Sequence, residues 1–467
     1  MPTPKHTPGP GETYDPTQPP PPFGHALKQY FAFKNDYINL NHGSYGSLPL
    51  PVVWASSQLA YEIESCPDIF HRLQYFEKLN KSRELLAKFV HADTDEVVLV
   101  GNATAALNTV LRNFEWREGD VIVLASTTYA SAANTTRYLA DRSEQPRPTI
   151  YTIEYEFPLT HAQVVDLFRS KLREVKQLHS NIQFTDVPPA STGFVDDVTM
   201  KKNKILAIVD AITANPGVLM PWQEMVRVAR EEGVWTLVDG AHSIGQEPNI
   251  NLSQARPDFY LSNAHKWLMG KRGCALLYVP QRNQYMIKSS VPTADEYCSP
   301  GTKAYEKRGT GFVTQHEYLG GSDVTPFLVI PEVFAFRQWL GGEEAINGYC
   351  SKLAVEGGKR LAEVMKTQVL DESGELTLNM PNVQLPLPVE KTPGELYPPE
   401  LRTKINLFLQ SKLLYDWKTY AAHYYHNGGF WCRCSAQVFN EVSDFEYLGR
   451  AFNALCQEVE ATFLKSK

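Results

Sequence analysis

The chain has 467 residues, 43% hydrophobic and 21% charged, an ordinary globular balance with enough length for two or three domains. Its net charge of −7 argues against a general affinity for nucleic acid or for anionic membrane. Seven scattered cysteines without C-x-x-C spacing read as reduced thiols of a cytoplasmic protein and offer no metal site, and no apolar run reaches the roughly 18 residues of a membrane span.

Residues 1–24 are rich in Pro, Gly and Thr and lack the apolar core of a secretory signal, so they read as a disordered or loosely draped tail. An N-terminal segment follows over 25–82. From 83 to 290 strand-like and helix-like patterns alternate. Val97–Val100 reads as a strand and Ala105–Asn113 as a helix; Val121–Ala125 and Ile205–Val209 are further apolar strands. Pro221–Glu232 is a helix, with Trp222, Met225, Val226 and Ala229 on one face and Gly233 beyond its end. Val234–Val238, Phe259–Ser262 and Cys274–Val279 complete the set. Apolar strands alternating with helices predict an α/β domain with a large, mostly parallel sheet. Residues 291–325 read as a long functional or interface loop, and 326–467 as a smaller C-terminal α+β domain.

Four features fall at predicted strand ends, where ligands gather in an α/β sheet. Val100-Gly101-Asn102-Ala103-Thr104-Ala105 joins a strand to a helix; small residues and a hydroxyl at a helix N-terminus form an anion pocket. It has neither a Walker nor a dinucleotide glycine pattern. Ser126-Thr127-Thr128-Tyr129 places an aromatic side chain after the next strand, available for stacking on a flat ring. Asp239 closes an apolar strand, where a carboxylate needs a positive partner or a helix to cap. Lys266, in Ser262-Asn263-Ala264-His265-Lys266-Trp267-Leu268, follows the last. Singly, each is as well explained by capping or by the surface.

In that order along the chain, the four resemble fold-type I pyridoxal 5′-phosphate (PLP) enzymes, and among them the class V aminotransferase and cysteine desulfurase superfamily. The resemblance runs from about residue 38 to 460. Its nearest branch is that of isopenicillin N epimerase-like proteins and the fungal C–S lyase of ergothioneine biosynthesis. The stretches behind this are Leu40-Asn41-His42-Gly43-Ser44-Tyr45-Gly46, Phe70-His71-Arg72, Asn263 to Leu268, Pro280 to Asn283-Gln284, and Ser435-Ala436-Gln437-Val438 with Ser443-Asp444-Phe445-Glu446.

The resemblance implies PLP as cofactor, Lys266 as the Schiff-base lysine, Asp239 as partner of the ring nitrogen and His242 as support of the phenolic oxygen. It puts Thr104 and the Ala105 amide at the phosphate, Asn263 and His265 beside phosphate or Schiff base, and Asn215 near the O3′ side. Tyr129 stands where desulfurases carry a stacking His and is also a candidate acid. Arg433 matches the arginine that clamps a substrate α-carboxylate, which suits its planar fork. His42, Tyr45 and Arg72 are candidates for further substrate contacts. Gly320-Gly321-Ser322-Asp323 departs from the family's Gly-Thr-x-Asp, so the contact to a partner subunit's phosphate passes to Ser322 or is lost. The fold also implies a homodimer.

The expected activity is β-elimination from a cysteine conjugate, with Lys266 taking the α-proton. If Arg433 points into the site, alternation along its strand turns Cys432 and Cys434 away, which argues against a desulfurase. Epimerase or C–C and C–N bond-forming cyclase chemistry uses the same carbanion and stays open. A non-catalytic binding protein of the same fold is the reading from a different class.

Overall fold

The computed structural model describes residues 7–142, 146–185, 202–293, 297, 311–318, 320–392 and 394–464. A short strand, β1 (Ile38–Asn39), comes first. The central sheet follows, built from β2 (Val97–Val100), β3 (Val121–Ala125), β4 (Thr149–Ile153), β5 (Ile205–Asp210), β6 (Trp235–Asp239), β7 (Phe259–Asn263) and β8 (Ala275–Tyr278). Their order is β2-β8-β7-β6-β5-β3-β4. Only β8 runs against its neighbours; the other pairings are parallel.

Side-chain alternation along these strands builds two cores, one on each face. Val97, Leu99, Val121, Val123, Ala207 and Val209 pack on one side. Val98, Val100, Ile122, Leu124, Leu206 and Ile208 pack on the other. Helices cover both faces, as a parallel sheet requires. The helix Trp222–Glu231 buries Trp222, Met225, Val226 and Ala229, the predicted face.

The smaller layer holds β9 (Asn382–Gln384), β10 (Thr419–Tyr420), β11 (Ala422–His426) and β12 (Gly429–Arg433). β12 lies between β11 and β9, antiparallel to both. The helices Gly342–Met365, Pro399–Tyr415 and Val442–Val459 bury Leu361, Leu409 and Phe452 among these strands. β1 pairs with β10, so the N-terminal segment is stitched to the C-terminal one.

Residues 7–24 carry no helix or strand, yet they are draped against specific partners. Tyr14 packs on Trp339, ring centroids 4.6 Å apart, and the Trp339 indole donates to the Gln18 carbonyl over 2.8 Å. About half of the 291–325 stretch, including 298–310, lies outside the described residues. Elements not expected from sequence include the edge strand β4 and the helices Leu50–Ser65, Tyr75–Phe89, Ala130–Ala140 and His161–Leu178. Only Ile153 of β4 is fully buried, so it lacks the continuous apolar run that marks the central strands.

Candidate active site

The carboxyl ends of β2, β3, β5, β6 and β7 meet at a cavity of about 290 Å³, near the lower limit of the roughly 300–1,000 Å³ typical of small-molecule sites. Thr104, Tyr129, Asp210, Asp239, His265 and Lys266 are among its lining residues. A wider groove of about 1,300 Å³ runs elsewhere, past Lys88, Glu247 and Asn347. It contains none of these strand-end groups, so chemistry and not size selects the site.

Lys266 is half-buried, with its Nζ 3.0 Å from His242 Nε2. Burial, helped by the Arg433 charge and opposed by Asp239, lowers its pKa to about 7. The Trp267 indole donates to His242 Nδ1 over 3.4 Å. Indole is a donor only, so Nδ1 accepts, and the neutral imidazole carries its proton on Nε2. That proton faces Lys266 Nζ, and only a neutral amine can accept it. Burial, then the charges of Lys266 and Arg433, hold His242 well below the ordinary imidazole pKa.

The peptide that carries the lysine is clamped. His42, fully buried, donates from Nε2 to the Lys266 carbonyl over 2.9 Å and accepts from the Ser47 amide at Nδ1 over 3.2 Å. Both ring nitrogens are therefore spent on backbone, and His42 braces the lysine instead of meeting a substrate as expected. Gly46 closes the clamp at φ +67°; a Cβ there would lie 1.6 Å from the His265 carbonyl oxygen, so only glycine fits.

The anion pocket lies at the start of the helix Ala103–Asn113. The Asn263 side chain accepts from the Ala103 amide over 2.9 Å, tying the end of β7 to this helix. Asn102 caps the Ala105 amide over 2.8 Å, so that amide, expected at the phosphate, is occupied. Thr104 lines the cavity and its hydroxyl accepts from Ser131 over 3.0 Å. Asp239 is buried and accepts from the Ala241 amide over 3.0 Å; burial raises its pKa, while Lys266 acts the other way.

Arg433, on β12, stands behind the cavity wall and does not line it. It donates from Nη1 to the Ala214 carbonyl over 2.6 Å and from Nη2 to Ser44 Oγ over 2.9 Å. Its Nε is buried without a partner, and burial lowers its pKa to about 10. Its stem runs over Gly217, where a Cβ would lie 2.7 Å from Arg433 Cδ. Cys432 and Cys434 turn the other way, into the core of the smaller layer.

Tyr129 and Tyr45 sit on the cavity wall, 55% and 74% exposed. His265 also lines it; burial, then Lys266, lower its pKa to about 4. Of the expected residues, His42, Ala105 and Arg433 lie behind the wall without lining it, and Arg72, Asn215 and Ser322 are not brought there either. Arg72 is exposed and pairs with Asp68 over 2.9 Å; Asn215 and Ser322 are exposed on loops and absent from the cavity wall. Sequence reasoning passed over Asp210, although it ends an apolar strand just as Asp239 does.

The aminotransferase class-V family model matches residues 70–173 and 169–297. The L-cysteine desulfhydrase-like protein lolT1 of Epichloe uncinata is 33% identical, covering 94% of this chain and 97% of that protein. The hercynylcysteine sulfoxide lyase of Schizosaccharomyces pombe is 28% identical over 93% of this chain and 98% of its own. Among solved structures, a variant of C-DES with glycine covalently linked to its PLP cofactor superposes with a TM-score of 0.68 at 16% identity, covering 91% of this chain and 98% of that one. Sheet order, site and full-length similarity agree: the chain belongs to the aminotransferase class-V family.

Proposed function

We propose that the chain is a PLP-dependent lyase that breaks the C–S bond of an S-substituted L-cysteine by β-elimination. The observation that carries this is Lys266, a half-buried lysine with its pKa lowered to about 7, held 3.0 Å from His242 in a cavity shared with Asp239. The residues fit the cofactor. Thr104 and the N-terminus of the helix Ala103–Asn113 would hold its phosphate, Asp239 its ring nitrogen, Tyr129 a ring face, the Nε2–H of His242 its phenolic oxygen, and Lys266 its aldehyde carbon. When bound, PLP withdraws electrons from a substrate's α-carbon.

Arg433, which donates to Ala214 and Ser44 of the cavity wall, holds the α-carboxylate through its guanidinium. Lys266, once free, takes the α-proton; its lowered pKa leaves much of it in the base form near neutrality. The electron pair left at the α-carbon forms the Cα–Cβ double bond as the C–S bond breaks, and the sulfur departs as a thiolate. Tyr129 stands on the cavity wall to protonate it. Two observations support a lyase over a desulfurase. Among the described residues no cysteine lines the cavity, and the relatives include a desulfhydrase-like protein and a sulfoxide lyase.

In this reading the working unit is a cytoplasmic homodimer. The exposed Tyr45 and Tyr129 mark the face that a second copy covers, and Arg72 and Ser322, off the cavity in one chain, serve the partner's site. The test is to incubate the PLP-loaded protein with S-substituted L-cysteines and measure pyruvate and free thiol. Equal release of both is expected. Inversion at the α-carbon without pyruvate would replace the lyase reading with an epimerase.

A further inference from the structure

Asp210 and Asp239 close the neighbouring parallel strands β5 and β6 and are partners in register. Residues so paired point to the same face, and both line the cavity. Both are buried, 5% and 6% exposed. Two carboxylates this close cannot both ionise in a water-poor site without a cation for each. Lys266 lowers the Asp239 pKa only in its protonated form. The groups around Asp210 supply no second cation: Asp239 on β6, the Thr128 hydroxyl donating to Asp210 Oδ2 over 2.8 Å, Tyr129 beside it, and Tyr155 beyond β4, whose buried hydroxyl has no partner and lies in the field of Asp210.

We infer that Asp210 is a positioning residue of the cofactor site, carrying the one proton the carboxyl pair retains and so leaving Asp239 as the anion that meets the ring nitrogen. This rests on the PLP reading above. Burial first and Asp239 second raise the Asp210 pKa to about 7, in line with that division. A neutral Asp210 gives the pair a single negative charge, matched to one ring N–H. An ionised Asp210 would add a second charge with nothing to meet it.

The amide of Asp210→Asn mimics the protonated acid in size and charge, whereas Asp239→Asn removes the anion. The first measurement is infrared absorption of the apoprotein, titrated between about pH 5 and 9. Wild type should show a carboxylic-acid carbonyl band that disappears through neutrality. Asp210→Asn should lack it, and Asp239→Asn should lose it at lower pH because the like charge is gone. The second is PLP affinity by fluorescence quenching at neutral pH. Asp210→Asn should stay within about threefold of wild type and Asp239→Asn should weaken by more than about tenfold. A band that persists in Asp210→Asn, or an Asp210→Asn as damaging as Asp239→Asn, overturns the inference. If Asp210→Asn does not fold, the shift of the band in Asp239→Asn decides. Failure of wild type to bind PLP would instead strike the proposed function, while the apoprotein titration would still judge the pair.

Discussion

Trp267 sets the protonation of the pair beside it. Its indole fills His242 Nδ1, which places the imidazole proton on Nε2 and asks the Lys266 amine to accept it. Trp267→Phe releases Nδ1 to carry the proton, so Nε2 becomes an acceptor for a charged lysine. The expected result is an upward move of about one unit in the Lys266 pKa, and about fivefold less base at neutral pH, read from the pH dependence of kcat. Lys266 also has a linkage signature. Its folded pKa, about 7, lies below its unfolded value, so the unfolded chain binds more protons between the two. The penalty on the apoprotein is full below about pH 7 and fades as pH rises toward the unfolded pKa. Lys266→Met apoprotein should therefore melt at a higher temperature than wild type at pH 6, with the gap closing toward ~pH 10. A constant gap would show that Lys266 is not held neutral.

The elements near the site act as fixed mounts. Gly217 lets β12 bring Arg433 across the loop after β5, and the Asn382 side chain accepts from the Gly217 amide over 2.8 Å. Gly217→Ala pushes the Arg433 stem aside. KM should rise by about tenfold or more with a smaller change in kcat, because a binding contact moves and the base does not. Asn102→Ala removes the cap of the helix Ala103–Asn113, at a cost of about 1 kcal/mol, and should weaken binding of inorganic phosphate to the apoprotein. Strands β2 and β3 were legible to the residue because both faces are buried and their apolar runs end at Gly101 and Ser126. The helix Ala103–Asn113 begins two residues before its expected start, since its cap is a side chain whose role periodicity does not show.

At the scale of the molecule, β1 pairs with β10 and the N-terminal strap lies on the helices Ile330–Trp339 and Gly342–Met365. Both ends of the chain thus hold one smaller layer, and from it Arg433 bonds to Ala214 and Ser44 of the cavity wall. The parallel sheet and the strand-end positions of Thr104, Tyr129, Asp239 and Lys266 were readable from composition and punctuation along the chain. His42 was not, because a histidine that braces a backbone carbonyl has the same sequence signature as one that meets a ligand. Arg72 and Ser322 were placed by resemblance, and one chain leaves them outside the cavity. The homodimer reading predicts a mass of twice 52.7 kDa in light scattering. It also predicts restored activity when inactive Lys266→Ala and Arg72→Ala chains are mixed; a monomeric active enzyme would remove it.

The most direct test of the central claim is the absorption of purified protein loaded with PLP, wild type beside Lys266→Ala, before and after an S-substituted L-cysteine is added. Wild type should be yellow, with a band that depends on Lys266, and should form pyruvate on adding substrate; Lys266→Ala should bind PLP without that band and form none. A colourless wild type that takes up no PLP, or a Lys266→Ala chain that turns over as wild type does, would contradict the assignment.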